Sequence, residues 1–291
     1  MSGDFPSGAA RELAARLGLH RSGRDWRGHC PACGYQDAFV LRTGRNGTPL
    51  LWCASCQDRD GLRALLRGAG IERTASAPSN YAARRERRER ARERALALWA
   101  GSEPAARTIA ERYLTARGLV GYAASSALRF RQDCPHPAGG RLAAMLALVT
   151  DADGQPIGIH RTFLRRDGAA KADVEPQRTA LGSIWGGAVR LDPIATEVVT
   201  GEGIETSASA GRLLGLPAWA AISAGNLARG LVLPPEVRAV VIATDRDQSG
   251  ERAASEAWHR WCSEGRSVRL LWPHAVGADC NDVLTAPEVA S

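Results

Sequence analysis

The sequence predicts an α/β protein with a four-cysteine zinc ribbon at its N-terminus and a parallel sheet, helices on both faces, at its C-terminus. Two Cys-x2-Cys pairs lie within residues 30–56, a ligand count and spacing suited to one tetrahedral Zn²⁺. Beyond residue 196, short β-branched runs alternate with helical stretches, the order that builds a parallel sheet with right-handed crossovers.

The 291 residues are enough for about two domains. With 44% hydrophobic and 24% charged residues, the composition is that of an ordinary globular protein. No apolar run approaches the ~20 residues of a membrane helix. The first residues, Met-Ser-Gly-Asp-Phe-Pro, lack the basic region and apolar run of a secretory signal. A cytoplasmic protein with no membrane partner is expected. The net charge of +7 is unevenly spread: residues 1–95 carry 18 Arg against 10 acids, residues 96–195 carry 12 basic residues against 9 acids, and residues 196–291 carry 8 Arg against 12 acids. A polyanion would be drawn to the first two parts, and the carboxylates of the last suit divalent cations. Arginine richness from a GC-rich genome accounts for the charge equally well. Lys171 is the single lysine, and its surroundings, Gly168-Ala-Ala-Lys171-Ala-Asp, lack the Gly-x4-Gly-Lys-Ser/Thr of a P-loop. No motor of that type is expected.

The knuckles Cys30-Pro-Ala-Cys33 and Cys53-Ala-Ser-Cys56 are separated by 19 residues. Four thiolates at that separation fit one structural zinc site, and a reduced thiol cluster or a disulfide pair is the alternative. Between them Phe39-Val-Leu41, the turn Arg45-Asn-Gly47 and Leu50-Leu-Trp52 read as a hairpin. His29 is surplus to a saturated site. Cys134, Cys262 and Cys280 have no partner at ligand spacing and read as buried or incidental thiols. A short amphipathic helix follows Asp60, and residues 74–80 read as a linker. The run Arg84–Arg94 then holds seven Arg and three Glu at helical spacings that support one another, as a solvated helix or as an arm that tracks phosphates.

In the last hundred residues, strands are expected at Glu197–Thr200, Ala218–Ile222, Ala239–Ala243 and Ser267–Trp272, with helices over Thr206–Leu214 and Ser249–Glu264. Ala239-Val-Val-Ile-Ala243 is wholly apolar, as a strand covered on both faces must be. Ligands of open parallel sheets gather beyond the carboxyl ends of the strands. Glu202 follows the first strand, Asp245 and Asp247 the third, and Asp279 and Asp282 lie past the fourth. Carboxylates gathered at one edge repel one another unless a hard divalent cation, most often Mg²⁺ beside a phosphate, neutralises them. Each also has a plain reading: Glu202 in a turn, Asp245 and Asp247 paired to Arg246, Asp279 as a helix cap.

At this point the sequence resembles a known family. Gly201-Glu202-Gly-Ile-Glu205-Thr206, Asp245-Arg-Asp247 and Asp279-Cys-Asn-Asp282 look like the TOPRIM domain of primases and topoisomerases. The ribbon with Asp60-Gly61 is similar to the zinc-binding module of satellite-phage primase-helicases. Residues 141–164 resemble, more faintly, the basic subdomain that precedes TOPRIM in bacterial primases. The resemblance implies a zinc-ribbon domain over 1–73, a linker and Arg-rich helix over 74–100, a mixed α+β basic subdomain over 101–192, and a Rossmann-like TOPRIM domain over 193–291. One departure is Thr206, where many TOPRIM primases carry Asp; Glu205 stands one place earlier.

The resemblance implies that Asp245 and Asp247 hold Mg²⁺ or Mn²⁺, two ions in all, supported by Asp279 and Asp282. Glu202 would be a ligand or the base for the attacking 3′-hydroxyl. Arg141, Arg161, Arg165, Arg166 and Lys171 would grip the template or the incoming triphosphate. The expected function is a DNA primase of phage or mobile-element replication, acting on single-stranded DNA with NTPs or dNTPs beside a separately encoded helicase. A TOPRIM nuclease and a non-catalytic DNA-binding scaffold are the alternatives. A topoisomerase needs a tyrosine nucleophile on a further large domain, and Tyr35, Tyr81, Tyr113 and Tyr122 all precede the acidic part.

Overall fold

A computed structural model describes residues 8–23, 25–31, 36–43, 49–54, 62, 81–244, 247–273 and 279–286. The chain divides into two compact units, Met1–Ser79 and Asn80–Ser291.

In the first unit, helix α1 (Gly8–Arg16) precedes four antiparallel strands in sequential order: β1 (His20–Ser22), β2 (Asp25–Gly28), β3 (Phe39–Thr43) and β4 (Pro49–Cys53). The expected hairpin is the β3–β4 pair, with Leu41 opposite Leu51 and Phe39 opposite Cys53. Alternate residues of a strand share a face, so Phe39, Leu41 and Cys53 point together into a core completed by Leu13 and Ala14 of α1. On the other face Arg42 donates twice to Asp25, at 2.6 and 2.6 Å. That bidentate pair holds the Asp25 carboxyl below its usual range. The knuckle partners Cys33 and Cys56 and the turn at 45–47 lie outside the described residues.

The second unit opens with the Arg-rich segment as helix α2 (Tyr81–Ala100). Residues 85–90 are exposed and joined by pairs such as Arg90–Glu86 at 2.6 Å. The end of α2 turns inward: Ala95 is buried, and Leu98 and Trp99 pack on Leu146, Ile159 and Phe163. The surface they cover is an antiparallel sheet in the order β5 (Glu103–Pro104), β6 (Leu128–Pro135), β7 (Arg141–Thr150), β8 (Pro156–Phe163), β9 (Arg178–Gly182). Asp151 closes the β7–β8 turn by accepting from the backbone N–H groups of Asp153 and Gln155. On the far face of this sheet Phe130, Met145, Ala147 and Val149 join helix α3 (Ile109–Thr115) in one core with the C-terminal sheet.

That second sheet has the order β10 (Val189–Arg190), β12 (Ala218–Ala220), β11 (Glu197–Gly201), β13 (Ala239–Ala243), β14 (Ser267–Leu271). β11, β12, β13 and β14 run parallel and β10 is antiparallel. Helix α4 (Ile204–Leu214) links β11 to β12, α5 (Gln248–Ser263) links β13 to β14, and α6 (Cys280–Thr285) follows. Among the described residues no helix is long and apolar enough to cross a membrane. Strand β12 ends at Ala220 rather than running to residue 222, because Ile222 takes a left-handed backbone, φ 71°. The chain leaves β11 towards β12 on one side and returns across it to β13 on the other. The carboxyl ends of β11 and β13 therefore flank the point where strand order reverses, the place where ligands of open α/β sheets bind.

Candidate active site

Gly201 and Ala243 are the last paired residues of β11 and β13, so the next residues along each strand, Glu202 and Thr244, emerge side by side. A Cβ on Gly201 would stand 2.7 Å from the Ala243 carbonyl oxygen; glycine is what allows the two strand ends to approach this closely. The loop after β12 is bolted to the same edge. Ala221 N–H donates to the Gly201 carbonyl at 2.9 Å and Ile222 N–H to the Glu202 carbonyl at 2.7 Å. A β-branched residue at positive φ is strained, and such strain is held where surrounding bonds over-determine it. Here it fixes the backbone of Glu202.

The other predicted acids are placed as follows. Asp245 lies outside the described residues. Asp247 is exposed and caps α5, accepting from Gly250 N–H at 2.7 Å. Asp279 and Asp282 form a reciprocal capping box on α6: Asp279 accepts from the N–H groups of Asn281 and Asp282, and Asp282 accepts from Asp279 N–H at 3.0 Å. Asn281 ties α6 down, donating to the Arg117 carbonyl at 2.7 Å and Ser209 Oγ at 3.0 Å. No three His, Cys, Asp or Glu side chains gather as metal ligands among the described residues. Glu202 and Asp247, with Asp245 between the latter and β13, supply hard oxygen donors of the kind Mg²⁺ takes. In the first unit Cys30 and Cys53 are both buried at one end of the sheet. Two buried thiols there suit half of a tetrahedral zinc site, the half that lies within the described residues.

The predicted basic residues do not form one patch. Arg141 pairs with Asp133 at 3.1 Å, Arg165 pairs with Asp167 at 3.1 Å, and Arg166 is exposed. Arg161 is buried, donating to the Pro135 carbonyl at 2.8 Å with its guanidinium over the Phe163 ring. Lys171 alone reaches the acidic sheet, with its ammonium 3.2 Å from Glu205 Oε1.

Glu205, in the first turn of α4, is buried. The same Oε1 accepts the hydroxyl of Tyr113 from α3. Burial alone would raise the Glu205 carboxyl, but Lys171, Arg178 and the Tyr113 hydroxyl outweigh it and hold the group at about 2. Burial and the neighbouring carboxylate push the Tyr113 phenol up, so it remains a donor. His160 shares this neighbourhood; burial, then Arg178, bring it down to about 4, and its Nδ1 is buried with no hydrogen-bond partner. The sequence pointed to Lys171 but gave no signal for Tyr113 or His160.

Residues 197–287 match a family model described as a Toprim domain. Residues 197–287 are a Toprim domain. The residues before it, 89–191, match a domain of unknown function, DUF7146. A comparison with curated protein sequences gives no match. Among solved structures, the chain is similar to a DNA primase domain from Pseudomonas aeruginosa, with 17% identity over 67% of this chain and 74% of that one and a TM-score of 0.45. It is also similar to the zinc-binding and RNA polymerase domains of Aquifex aeolicus primase, with 14% identity over 97% of this chain and 80% of that one and a TM-score of 0.44. A third is the primase fragment of the bacteriophage T7 primase-helicase protein, with 14% identity over 89% of this chain and 93% of that one and a TM-score of 0.41. The Glu202 edge lies within the matched Toprim region, and Lys171 lies in the segment between β8 and β9, within residues 89–191.

Proposed function

We propose that the chain is a DNA primase that makes short primers on single-stranded DNA by magnesium-dependent nucleotidyl transfer, in phage or mobile-element replication. The observation that carries this reading is the Toprim switch point, where Glu202 leaves β11 in register with the end of β13, two residues before Asp245. Glu202, Asp245 and Asp247 would hold the Mg²⁺, and the bound cation would spread charge off the phosphate under attack. Glu202 is also the candidate base for the 3′-hydroxyl proton. Asp279 and Asp282 would support the site from the start of α6. Cys30, Cys33, Cys53 and Cys56 would hold one structural Zn²⁺ in a ribbon that contacts the template. Exposed Arg141, Arg165 and Arg166 are the candidates for backbone phosphate contacts, with NTPs or dNTPs as substrates and a separate helicase as partner.

The test is primer synthesis by the full chain on single-stranded DNA with Mg²⁺ and each nucleotide type. Labelled oligonucleotides from wild type, abolished in Asp245→Ala, are expected. No product across templates and metals overturns the primase reading, and Mg²⁺-dependent loss of plasmid without nucleotides replaces it with a nuclease.

A further inference from the structure

Glu205 invites a role in the metal site, being acidic and three residues from Glu202. Its surroundings assign it another. A carboxylate that binds a cation must turn towards the crevice, whereas Glu205 faces the antiparallel sheet and spends one oxygen on both Tyr113 and Lys171. Tyr113 is itself fully buried, with the Arg117 guanidinium over its ring, 3.8 Å from the centroid. Lys171 belongs to the hairpin after β8, whose backbone is closed by the Arg165 N–H to the Ala170 carbonyl, the Leu164–Lys171 bridge and the Ala172 N–H to the Phe163 carbonyl. Such a segment does not by itself fix a flexible four-carbon side chain. Glu205 does, from the first turn of the helix that starts at the Glu202 edge.

We propose that Glu205, aligned by Tyr113, is a positioning residue that holds the Lys171 ammonium beside the Toprim edge, where it receives the triphosphate of the incoming nucleotide. The proposal rests on the nucleotidyl-transfer reading for the identity of the anion. The ammonium has three donors and Glu205 engages it from one side. Lys171 retains 22% of its side-chain surface, against 11% for Glu205, so the cation is the accessible member of the pair. The arrangement accounts for an acid that must stay ionised without binding a metal: its negative charge keeps the only lysine in place.

Two measurements on the full chain test it. The first is calorimetric binding of inorganic tripolyphosphate, which needs no turnover, to wild type, Glu205→Gln, Lys171→Met, the double variant and Tyr113→Phe. Ten-fold or greater weakening in Glu205→Gln and in Lys171→Met, no further weakening in the double variant, and a smaller loss in Tyr113→Phe are expected. The second is primer synthesis at varied nucleotide concentration: Glu205→Gln should raise KM for nucleotide about ten-fold with kcat within about three-fold, and Glu205→Asp should recover part of the loss. Unchanged tripolyphosphate binding in both single variants overturns the proposal, as does a fall in kcat at constant KM. If wild type makes no primers but the binding pattern holds, the primase reading fails and the anion site stands. Should Glu205→Gln not fold, Tyr113→Phe and Glu205→Asp carry the same comparison.

Discussion

Asn226 offers the sharpest energetic test of how the Toprim edge is built. It is fully buried at the start of a π-helical turn, Asn226–Gly230. Its side-chain nitrogen donates to the carbonyls of Gly187 and Ala221, each at 2.8 Å, and its oxygen accepts from Gly186 N–H at 2.9 Å. Asn226→Ala removes three hydrogen bonds and strands two carbonyls and one N–H in a dry core, at about 1–3 kcal/mol each. The amide-sized space admits one water, which restores part of that, so the expected cost is about 3 kcal/mol. For a unit of this size that lowers Tm by roughly 6–12 °C. Asn226→Asp keeps an acceptor for Gly186 but turns a carboxylate on two carbonyls. Folding then favours the protonated acid, so the variant loses stability as pH rises above the ordinary Asp range near 4. Urea denaturation followed by circular dichroism at pH 5 and pH 7 measures both effects. A cost below about 1 kcal/mol for Asn226→Ala, or a pH-independent Asn226→Asp, would refute the role of Asn226 in tying Gly186 and Gly187, before β10, to Ala221, after β12.

His160, lowered from 6.5 to about 4, binds a proton more readily unfolded than folded. Its contribution of up to ~3 kcal/mol is therefore fully present above pH 6.5 and lost as pH falls to about 4; denaturation midpoints across that window should fall for wild type and flatten in His160→Gln. Elemental analysis should find one zinc per chain and none in Cys53→Ser, with loss of structure in the first unit as the metal leaves; unchanged zinc in the variant would reject the site. Asp279→Ala should cost about 1–2 kcal/mol as a lost cap. Asp279→Asn keeps the cap acceptor, so primer synthesis that survives it makes Asp279 a structural residue, and synthesis that is lost makes it a metal supporter.

What was legible in the sequence follows from how locally each feature is determined. Val240, Val241 and Ile242 announce a strand buried on both faces, and β13 runs over the expected residues, Ala239–Ala243. Helix α4 starts at Ile204, two residues before its apolar pattern suggests, because Ser207 Oγ and Ser207 N–H both bond the Gly203 carbonyl. The antiparallel edge β10 is two residues long, too short to carry any periodicity. Arg161 reads as an exposed cation on a hairpin, yet it shares a strand face with Ile159 and Phe163 and is buried with them. The bond between Tyr113 and Glu205 spans 92 positions, so only the packing of α3 against α4 creates it.

The uneven charge of the chain acquires a physical sense from that packing. The acidic C-terminal part and the basic part before it share one core, and Lys171 of the basic part stands 3.2 Å from Glu205 of the acidic part. A buried carboxylate stays ionised only where positive charge and hydrogen-bond donors outweigh its loss of water. Glu205 is such a group: buried, it stays charged because Lys171 and Arg178 stand beside it. On the proposed primase reading, a basic sheet beside an acidic edge would draw a polyanion and a metal to adjoining places, the pairing that phosphoryl transfer requires.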